Sequence, residues 1–172
     1  MSVKTILTEP NKILRQISKN VDKVGDEERK LMDDMLETMY DAPGIGLAAI
    51  QIGIPKRIIV MDISGNENEK EPMYFVNPII KNRNKEKAKY EEGCLSVPDQ
   101  FAEVERPNTC EVEYLDYNGK KKSLKADGLL ATCIQHEMDH LEGILFIDYL
   151  SKLKKSMIIK KLSKIKLNRK IF

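Results

Sequence analysis

Hydrophobic residues recur at helical spacing in one segment near the start of the chain. From Asp26 onward, apolar side chains stand three and four positions apart, at Leu31, Met32, Met35, Leu36 and Met39. This spacing predicts an amphipathic helix, with Asp26 placed to cap its N-terminus. We expect the helix to end at Ala42, because Pro43 disfavours helical geometry in the residue before it.

The middle of the chain has shorter runs that are rich in β-branched and aromatic residues. Residues 57–62 (RIIVMD) and 73–80 (MYFVNPII) predict two strands, with a polar stretch between them. In residues 110–126, apolar residues on alternating positions precede Asn118-Gly119, a pair typical of two-residue turns. We therefore expect a β-hairpin and an antiparallel sheet.

Two more helices are predicted in the C-terminal part of the chain. Residues 129–143 (LLATCIQHEMDHLEG) follow Asp127-Gly128, with Gly143 just past the predicted end. A further helix is predicted at about 149–168, with lysines around an apolar stripe of Leu150, Leu153, Met157, Leu162 and Ile165. The order of elements predicts an α+β fold, in which antiparallel sheets pack around a central helix between an N-terminal and a C-terminal helix.

The length and composition indicate a single domain, and the charges are unevenly distributed along the chain. The length of 172 residues, 41% hydrophobic and 33% charged, is typical of one globular domain over 1–172 and not of a disordered or fibrous chain. All 27 acidic residues precede Leu150, whereas nine of the 29 basic residues follow it. A basic tail on an acidic body suggests a polyanionic neighbour.

The three cysteines and the first residues of the chain indicate where the protein works. An odd number of cysteines and a start without a signal-peptide pattern predict a cytoplasmic protein. The longest apolar candidate, residues 144–150 (ILFIDYL), is far shorter than the roughly 18 residues that span a bilayer. We therefore expect no membrane segment.

Both histidines of the chain lie in residues 136–140 (HEMDH). Residues four apart on a helix are about 40° apart in rotation and about 6 Å apart along the axis, so His136 and His140 can bind one metal ion. Glu137 is turned about 100° from His136, which places it better beside a metal-bound water than as a ligand. The alternative is a pair of surface histidines, but the apolar residues beside the pattern favour a metal-binding helix.

A catalytic site of the zinc type needs a third protein ligand and one open position. After His140 the chain holds only the acids Glu142 and Asp148, which lack the longer spacing of the third ligand in zinc peptidases. Cysteine becomes the leading candidate. Cys133 lies about 10.5 Å along the helix axis from His140, too far for one ion, and is assigned to the pocket or core.

The other two cysteines differ in their surroundings. Cys110 begins a predicted strand and is interpreted as a buried small hydrophobic residue. Cys94 lies between Gly93 and Pro98, where a constrained backbone could present a thiolate, but a core cysteine in a strand fits equally well. Spacing alone does not decide between these two interpretations of Cys94.

Three segments together resemble the signature motifs of the peptide deformylases. They are residues 44–51 (GIGLAAIQ), 92–96 (EGCLS) and 135–143 (QHEMDHLEG), in that order, and the similarity extends over about residues 5–150. The resemblance implies hydrolytic removal of the formyl group from the N-terminal formylmethionine of nascent proteins, with release of formate. It also implies that Cys94, His136 and His140 bind one divalent metal ion, Fe2+ or Zn2+.

The resemblance further assigns catalytic and substrate-binding residues. Glu137 would act as general base and acid for a metal-bound water, and the Gln51 side chain and the Leu95 backbone N–H would stabilise the oxyanion. The methionine pocket and its approach would comprise Gly44, Ile45, Gly46, Tyr90, Glu92, Gly93, Leu129, Thr132 and Cys133. One helix face could hold both pocket and metal, because Leu129, Thr132, Cys133 and His136 follow helical spacing.

Some features depart from the family pattern or leave alternatives open. Many bacterial members have arginine at Phe101 and an aliphatic residue at Thr132, and both differences bear on substrate affinity. The basic C-terminal helix resembles one that docks on the ribosome in some members, although a solvated amphipathic helix fits as well. The competing functions are a zinc peptidase and a ribosome- or RNA-binding module with a structural metal.

Overall fold

A computed structural model describes residues 1–170, with side chains described up to residue 165. Within this range the α-helices are α1 (Asp26–Asp41), α2 (Gly128–Leu141) and α3 (Lys152–Lys170). The strands are β1 (Gly46–Ala48), β2 (Ile58–Met61), β3 (Met73–Arg83), β4 (Lys87–Cys94), β5 (Val97–Pro107), β6 (Thr109–Leu115) and β7 (Lys121–Asp127). Short 3-10 helices lie at Lys12–Arg15, Ala49–Ile52 and Phe146–Tyr149.

The strands form two antiparallel sheets. Five strands pair in the order β1-β2-β3-β6-β7, and β4 pairs with β5 in a separate two-stranded sheet. These two antiparallel sheets, with α2 packed against them and helices near both ends of the chain, confirm the predicted α+β fold. The predicted strands at 57–62 and 73–80 and the hairpin at 110–126 are all present.

Strand β2 is buried on both faces, which explains its uninterrupted apolar run. Ile58 and Val60 pack in one core cluster with Met32, Met35 and Met39 of α1. The alternate residues Ile59 and Met61 pack in another, with Ala131 and Ile134 of α2. Because successive strand residues point to opposite faces, α1 and α2 lie on opposite sides of the sheet.

A third core cluster joins the C-terminal helix to the small sheet. Ile158 and Leu162 of α3 pack with Val97 and Val104 of β5 and with Phe146. The tail of the chain is thereby attached to the strand pair that leads into and out of Cys94.

The structure corrects three details of the sequence prediction. Gly25 is the N-cap of α1, and its N–H donates to the Glu28 carboxylate at 3.0 Å, so Asp26 is already helical. The β6–β7 turn spans residues 116–120 instead of two residues, because Asp116 N–H bonds to the Lys120 carbonyl. The C-terminal helix begins at Lys152, since residues 146–149 form a 3-10 helix.

Among the helices in the described part of the chain, none is both long and apolar enough to cross a membrane.

Candidate metal centre and active site

Helix α2 and the end of β4 bring three potential metal ligands together. His136 and His140 project from adjacent turns of α2, and Cys94 is the last residue of β4. Their ligand atoms all lie within 4.8 Å of one another, and Cys94 Sγ is 3.3 Å from His140 Nε2. Of the two interpretations that the spacing left open for Cys94, the structure favours the presented thiol, at the end of a strand but facing the histidines.

The backbone around Cys94 depends on close packing that involves glycine. The β4–β5 register shifts between Gly93 and Cys94, and the strands reverse at Leu95 and Ser96. A Cβ atom at Gly93 would lie 2.6 Å from the Phe101 ring, and one at Gly44 would lie 2.6 Å from the Leu95 side chain. The first and second sequence motifs therefore touch directly, which places Leu95 beside the 44–46 loop.

A buried ionic network orients His136. The Nδ1 atom of His136 lies 2.8 Å from Glu92 Oε1, which leaves Nε2 for the site. Arg106 donates to both oxygens of Glu92, at 2.7 and 2.9 Å, and to Asp139 at 2.8 Å. Burial raises the pKa of Glu92, but the hydrogen bonds from His136 and Arg106 outweigh burial and lower it, so the carboxylate stays charged.

The outer end of this network is formed by Tyr149. Its hydroxyl donates to Asp139 Oδ2 at 2.7 Å, and its ring lies 4.9 Å from the Arg106 guanidinium carbon. Tyr149 and Arg106 were not among the predicted site residues, and neither carries a local signal in the sequence, because their partners lie on other elements. Asp139 was visible only as a member of the HEMDH pattern.

The two buried histidines differ in protonation, and a bound cation requires the neutral form of both rings. Burial lowers the pKa of His140 well below its ordinary value, which favours the neutral imidazole that binds metals. Burial also lowers the pKa of His136, but the hydrogen bonds to Cys94 and Glu92 outweigh it and raise the pKa well above its ordinary value. A divalent ion among one sulfur and two imidazole nitrogens would replace that proton, and this donor set suits iron or zinc.

Glu137 is buried beside the three potential ligands. Within the described structure its Oε2 atom has no hydrogen-bond partner, and burial raises the pKa of the carboxyl to about 7. A Cβ atom at Gly46 would lie 2.5 Å from Glu137 Oε1. The carboxylate therefore occupies space that only a glycine at position 46 leaves open.

Gln51 reaches the same place from the 3-10 helix after β1. Its Oε1 accepts from the Ala48 N–H at 2.9 Å, and its Nε2 donates to Ser96 Oγ at 3.0 Å. The Nε2 atom also lies 3.6 Å from Cys94 Sγ. The carboxamide is thus held with its nitrogen toward the thiol, and Ser96 is a contact that the sequence did not single out.

A cavity of about 620 Å³ opens next to these groups. Its lining includes every residue that the resemblance assigned to substrate binding, together with Gln51, Cys94, Leu95, His136 and Glu137. The substrate-binding residues assigned by the resemblance are Gly44, Ile45, Gly46, Tyr90, Glu92, Gly93, Leu129, Thr132 and Cys133. His140 is fully buried behind the wall, and Phe101 stands exposed at the cavity's edge.

Comparisons with known proteins agree with this geometry. The family model described as polypeptide deformylase matches residues 3–156. A curated peptide deformylase from Pelagibacter ubique is 85% identical over 169 residues, 98% of each chain, and one from Rhizobium meliloti is 55% identical over 95% of this chain and 94% of its own. A crystal structure of peptide deformylase from Ehrlichia chaffeensis in complex with actinonin has a TM-score of 0.90 and 49% identity, covering 95% of this chain and 98% of that one.

Proposed function

Because this chain belongs to the peptide deformylase family, we propose that Cys94, His136 and His140 hold the metal ion on which its deformylation reaction depends. The protein is a metal-dependent hydrolase that removes the formyl group from formylated nascent peptides. The observation that carries the proposal is the meeting of three ligand atoms within 4.8 Å. Family membership argues against the zinc peptidase and the RNA-binding module as the main activity.

The proposed ion is Fe2+, with Zn2+ as the alternative. One sulfur and two imidazole nitrogens suit either ion, since both accept thiolate and imidazole ligands. When bound, the ion supplies Lewis acidity, which lowers the pKa of a water molecule and polarises the formyl oxygen. The Glu92 carboxylate accepts a hydrogen bond from Nδ1 of His136, which directs the other ring nitrogen, Nε2, to the site.

Glu137 is the proposed general base and acid. It takes a proton from the attacking water and delivers it to the amine nitrogen that leaves the formyl carbon. Burial raises the pKa of this carboxyl to about 7, and a base with a pKa near neutrality can both accept and return a proton. The missing side chain at Gly46 leaves the room in which the carboxylate lies.

The proposed oxyanion donors are the Gln51 carboxamide and the Leu95 backbone N–H. Both residues line the cavity beside Cys94, and Gln51 Nε2 points toward the sulfur. Donors that are already oriented stabilise developing charge without reorganisation, and the loss of one typically lowers the rate about 100- to 1,000-fold.

The cavity is the proposed site for the formylmethionine. Leu129, Thr132 and Cys133 on α2, together with Tyr90, form one wall for the methionine side chain, and the 44–46 loop with Gly93 forms the approach for the backbone. Glu92 also lines the cavity, but both of its oxygens bind Arg106. We therefore assign its carboxylate to the orientation of His136 and its backbone to the cavity wall.

The remaining proposals concern the whole chain. Residues 1–172 act as one catalytic domain in the cytoplasm, and the lysine-rich α3 docks on the ribosome near the emerging peptide. The support for docking is that exposed lysines, including Lys160, Lys161 and Lys164, occupy a helix without acidic residues.

The test of the proposed function is formate release from a formyl-Met-Ala-Ser peptide by protein that is purified anaerobically, with metal content measured on the same sample. We expect one Fe2+ or Zn2+ per chain and stoichiometric formate. Cys94→Ala should lose both metal and activity, whereas Cys110→Ala, a change in the core away from the cavity, should retain both. Metal at full occupancy in Cys94→Ala would refute the proposed ligand set.

A further inference from the structure

The N-terminal belt, defined as residues 7–18, contacts all three segments that form the site. Leu7 N–H donates to the Gln51 carbonyl at 2.7 Å, and Glu9 N–H donates to the Ser96 carbonyl at 2.8 Å. Further along, Ser18 N–H donates to the carbonyl of Leu141, the last residue of α2, at 2.9 Å. No belt residue is among the described residues that line the cavity, so the belt contributes support and not substrate contacts.

Side chains anchor the belt to the turn that follows α2. Arg15 donates to Asp148 at 2.6 Å and lies 3.5 Å from Glu9 Oε1. A Cβ atom at Gly143 would overlap the Arg15 carbonyl oxygen, so the two backbones are in direct contact. The belt is therefore attached at both ends: Arg15 holds it to the turn after α2, and Leu7 and Glu9 hold it to Gln51 and Ser96.

Leu7 and Glu9 are two positions apart, so their N–H groups join the Gln51 and Ser96 backbones through a short piece of chain. A side-chain bond joins the same two residues, because the Ser96 hydroxyl accepts from Gln51 Nε2 at 3.0 Å. Both Ser96 and Gln51 are buried, so water does not compete for this hydrogen bond.

The Ser96 bond decides where the rest of the Gln51 carboxamide points. A carboxamide has one acceptor oxygen and two N–H donors in one plane. The Ala48 N–H occupies the oxygen and Ser96 Oγ occupies one donor, so the second N–H is directed to the side of Cys94. Without Ser96, one of the two constraints on the plane of the amide would be lost.

We propose that Ser96, held by the N-terminal belt, is a positioning residue for deformylation that aims the second N–H of Gln51 at the reacting formyl oxygen. This inference rests on the proposed role of Gln51 as an oxyanion donor. The Ser96 hydroxyl acts on the reaction only through Gln51 and contacts neither the substrate nor the metal ligands itself.

The test is a double-mutant cycle of Ser96→Ala and Gln51→Ala, assayed by formate release. Ser96→Ala should lower kcat about 10- to 100-fold with little change in KM, because misorientation of a catalytic group costs rate at the reacting centre. In the Gln51→Ala background, Ser96→Ala should lower kcat no further, since its effect acts through Gln51. The matched control is Ser18→Ala, which removes a buried belt hydroxyl without a hydrogen-bond partner among the described residues and keeps the backbone bond to Leu141.

A spectroscopic readout separates positioning from a general structural effect. In Co2+-substituted protein, the thiolate charge-transfer band reports on Cys94, which Gln51 Nε2 approaches at 3.6 Å. Ser96→Ala should shift this band at unchanged metal content, and Ser18→Ala should leave it in place. If Ser96→Ala lowers the unfolding temperature, Ser96→Cys, whose thiol is larger and bonds weakly, replaces it in the kinetic cycle alone, because a second thiol would add its own Co2+ band.

The outcomes distinguish this inference from the proposed function. An unchanged kcat in Ser96→Ala with a lowered kcat in Gln51→Ala overturns the inference alone. Equal losses from Ser96→Ala in both backgrounds also overturn it, because Ser96 would then act independently of Gln51. An unchanged kcat in Gln51→Ala rejects the proposed oxyanion donor and, with it, the role of Ser96.

Discussion

Helices α2 and α3 follow each other in the chain but differ in how strongly the fold constrains their residues. In α2, nine of 14 residues are buried, because the five-stranded sheet covers one side and the β4–β5 pair and the cavity lie on the other. In α3, the buried residues within the described side chains are Ile158 and Leu162. In α2, one residue can serve the core, the cavity and the chemistry together, whereas α3 needs only a narrow apolar contact to stay attached.

The largest expected effect in this comparison is the loss of the α2 carboxylate at Glu137. Glu137→Gln should lower kcat about 100- to 10,000-fold, because the proton transfer loses its base while the three metal ligands remain. Formate release and metal content on the same sample measure this. The control is Glu142→Gln at the exposed end of α2, where an ion pair with Arg57 contributes little. A near-normal kcat in Glu137→Gln would rule out its proposed role.

The ionic network behind α2 should show the next largest effect. Arg106→Met leaves the Glu92 carboxylate buried without its bidentate partner, which should reduce the free energy of unfolding by about 3 to 5 kcal/mol. Metal affinity should also fall about 10- to 100-fold, because His136 loses its orienting support. Urea unfolding and metal titration measure the two effects, with Lys89→Met on the exposed face of β4 as the control. A stable variant with normal affinity would show that Glu92 is held by other contacts.

A truncation in α3 should affect stability but not chemistry. Leu162→Ala removes a buried side chain from the cluster with Val97 and Val104 and should reduce the free energy of unfolding by about 2 kcal/mol. Its kcat on a short formyl peptide should not change. The paired variant Met157→Ala, at an exposed position of the same helix, should cost less than about 0.5 kcal/mol. An equal loss of unfolding free energy at Leu162 and Met157 would contradict a narrow apolar contact between α3 and the rest of the protein.

A methyl group added at Gly46, opposite Glu137 of α2, should lower the activity of the enzyme. Gly46→Ala places a Cβ atom 2.5 Å from Glu137 Oε1, so the carboxylate must move, and kcat should fall about 10- to 100-fold. Stability should also fall, because Glu137 is buried and its Cγ and Cδ atoms would lie 3.0 Å from the added Cβ atom. Gly25→Ala, where the nearest atom is 3.5 Å away, is the control. Unchanged kinetics in Gly46→Ala would mean that Glu137 acts from another position.

The smallest expected effect is a charge reversal on the outer face of α3. Lys160→Glu with Lys161→Glu should change the free energy of unfolding by less than about 0.5 kcal/mol, because both side chains are exposed. Formate release from short peptides should be unchanged, while binding to ribosomes should weaken and become less salt-dependent. Cosedimentation with ribosomes at two salt concentrations measures this, and equal binding by both proteins would refute docking through α3.

Regular elements were predictable wherever one local periodicity dominated. The helical spacing of Leu31, Met35 and Met39 predicted α1, and the HEMDH segment between two glycines predicted α2. Details that depend on single hydrogen bonds were wrong, such as Asp26 as the cap of α1, because Gly25 is the N-cap and its N–H donates to the Glu28 carboxylate. Strands β4 and β5 were not predicted, although charged and uncharged residues alternate at 87–91 (KAKYE) and 102–105 (AEVE). These runs hold few of the β-branched and aromatic residues that are typical of strands.

The sequence alone determined the paired histidines on a helix, the glutamate between them, and the three motifs that mark the family, because these features depend on spacing within one segment. Only the tertiary structure decided that Cys94 meets both imidazoles, that Arg106 holds Glu92 against His136, and that residues 7–18 bind Gln51 and Ser96. These contacts join residues from different elements. Their geometry is set by strand pairing and core packing, which no local pattern encodes.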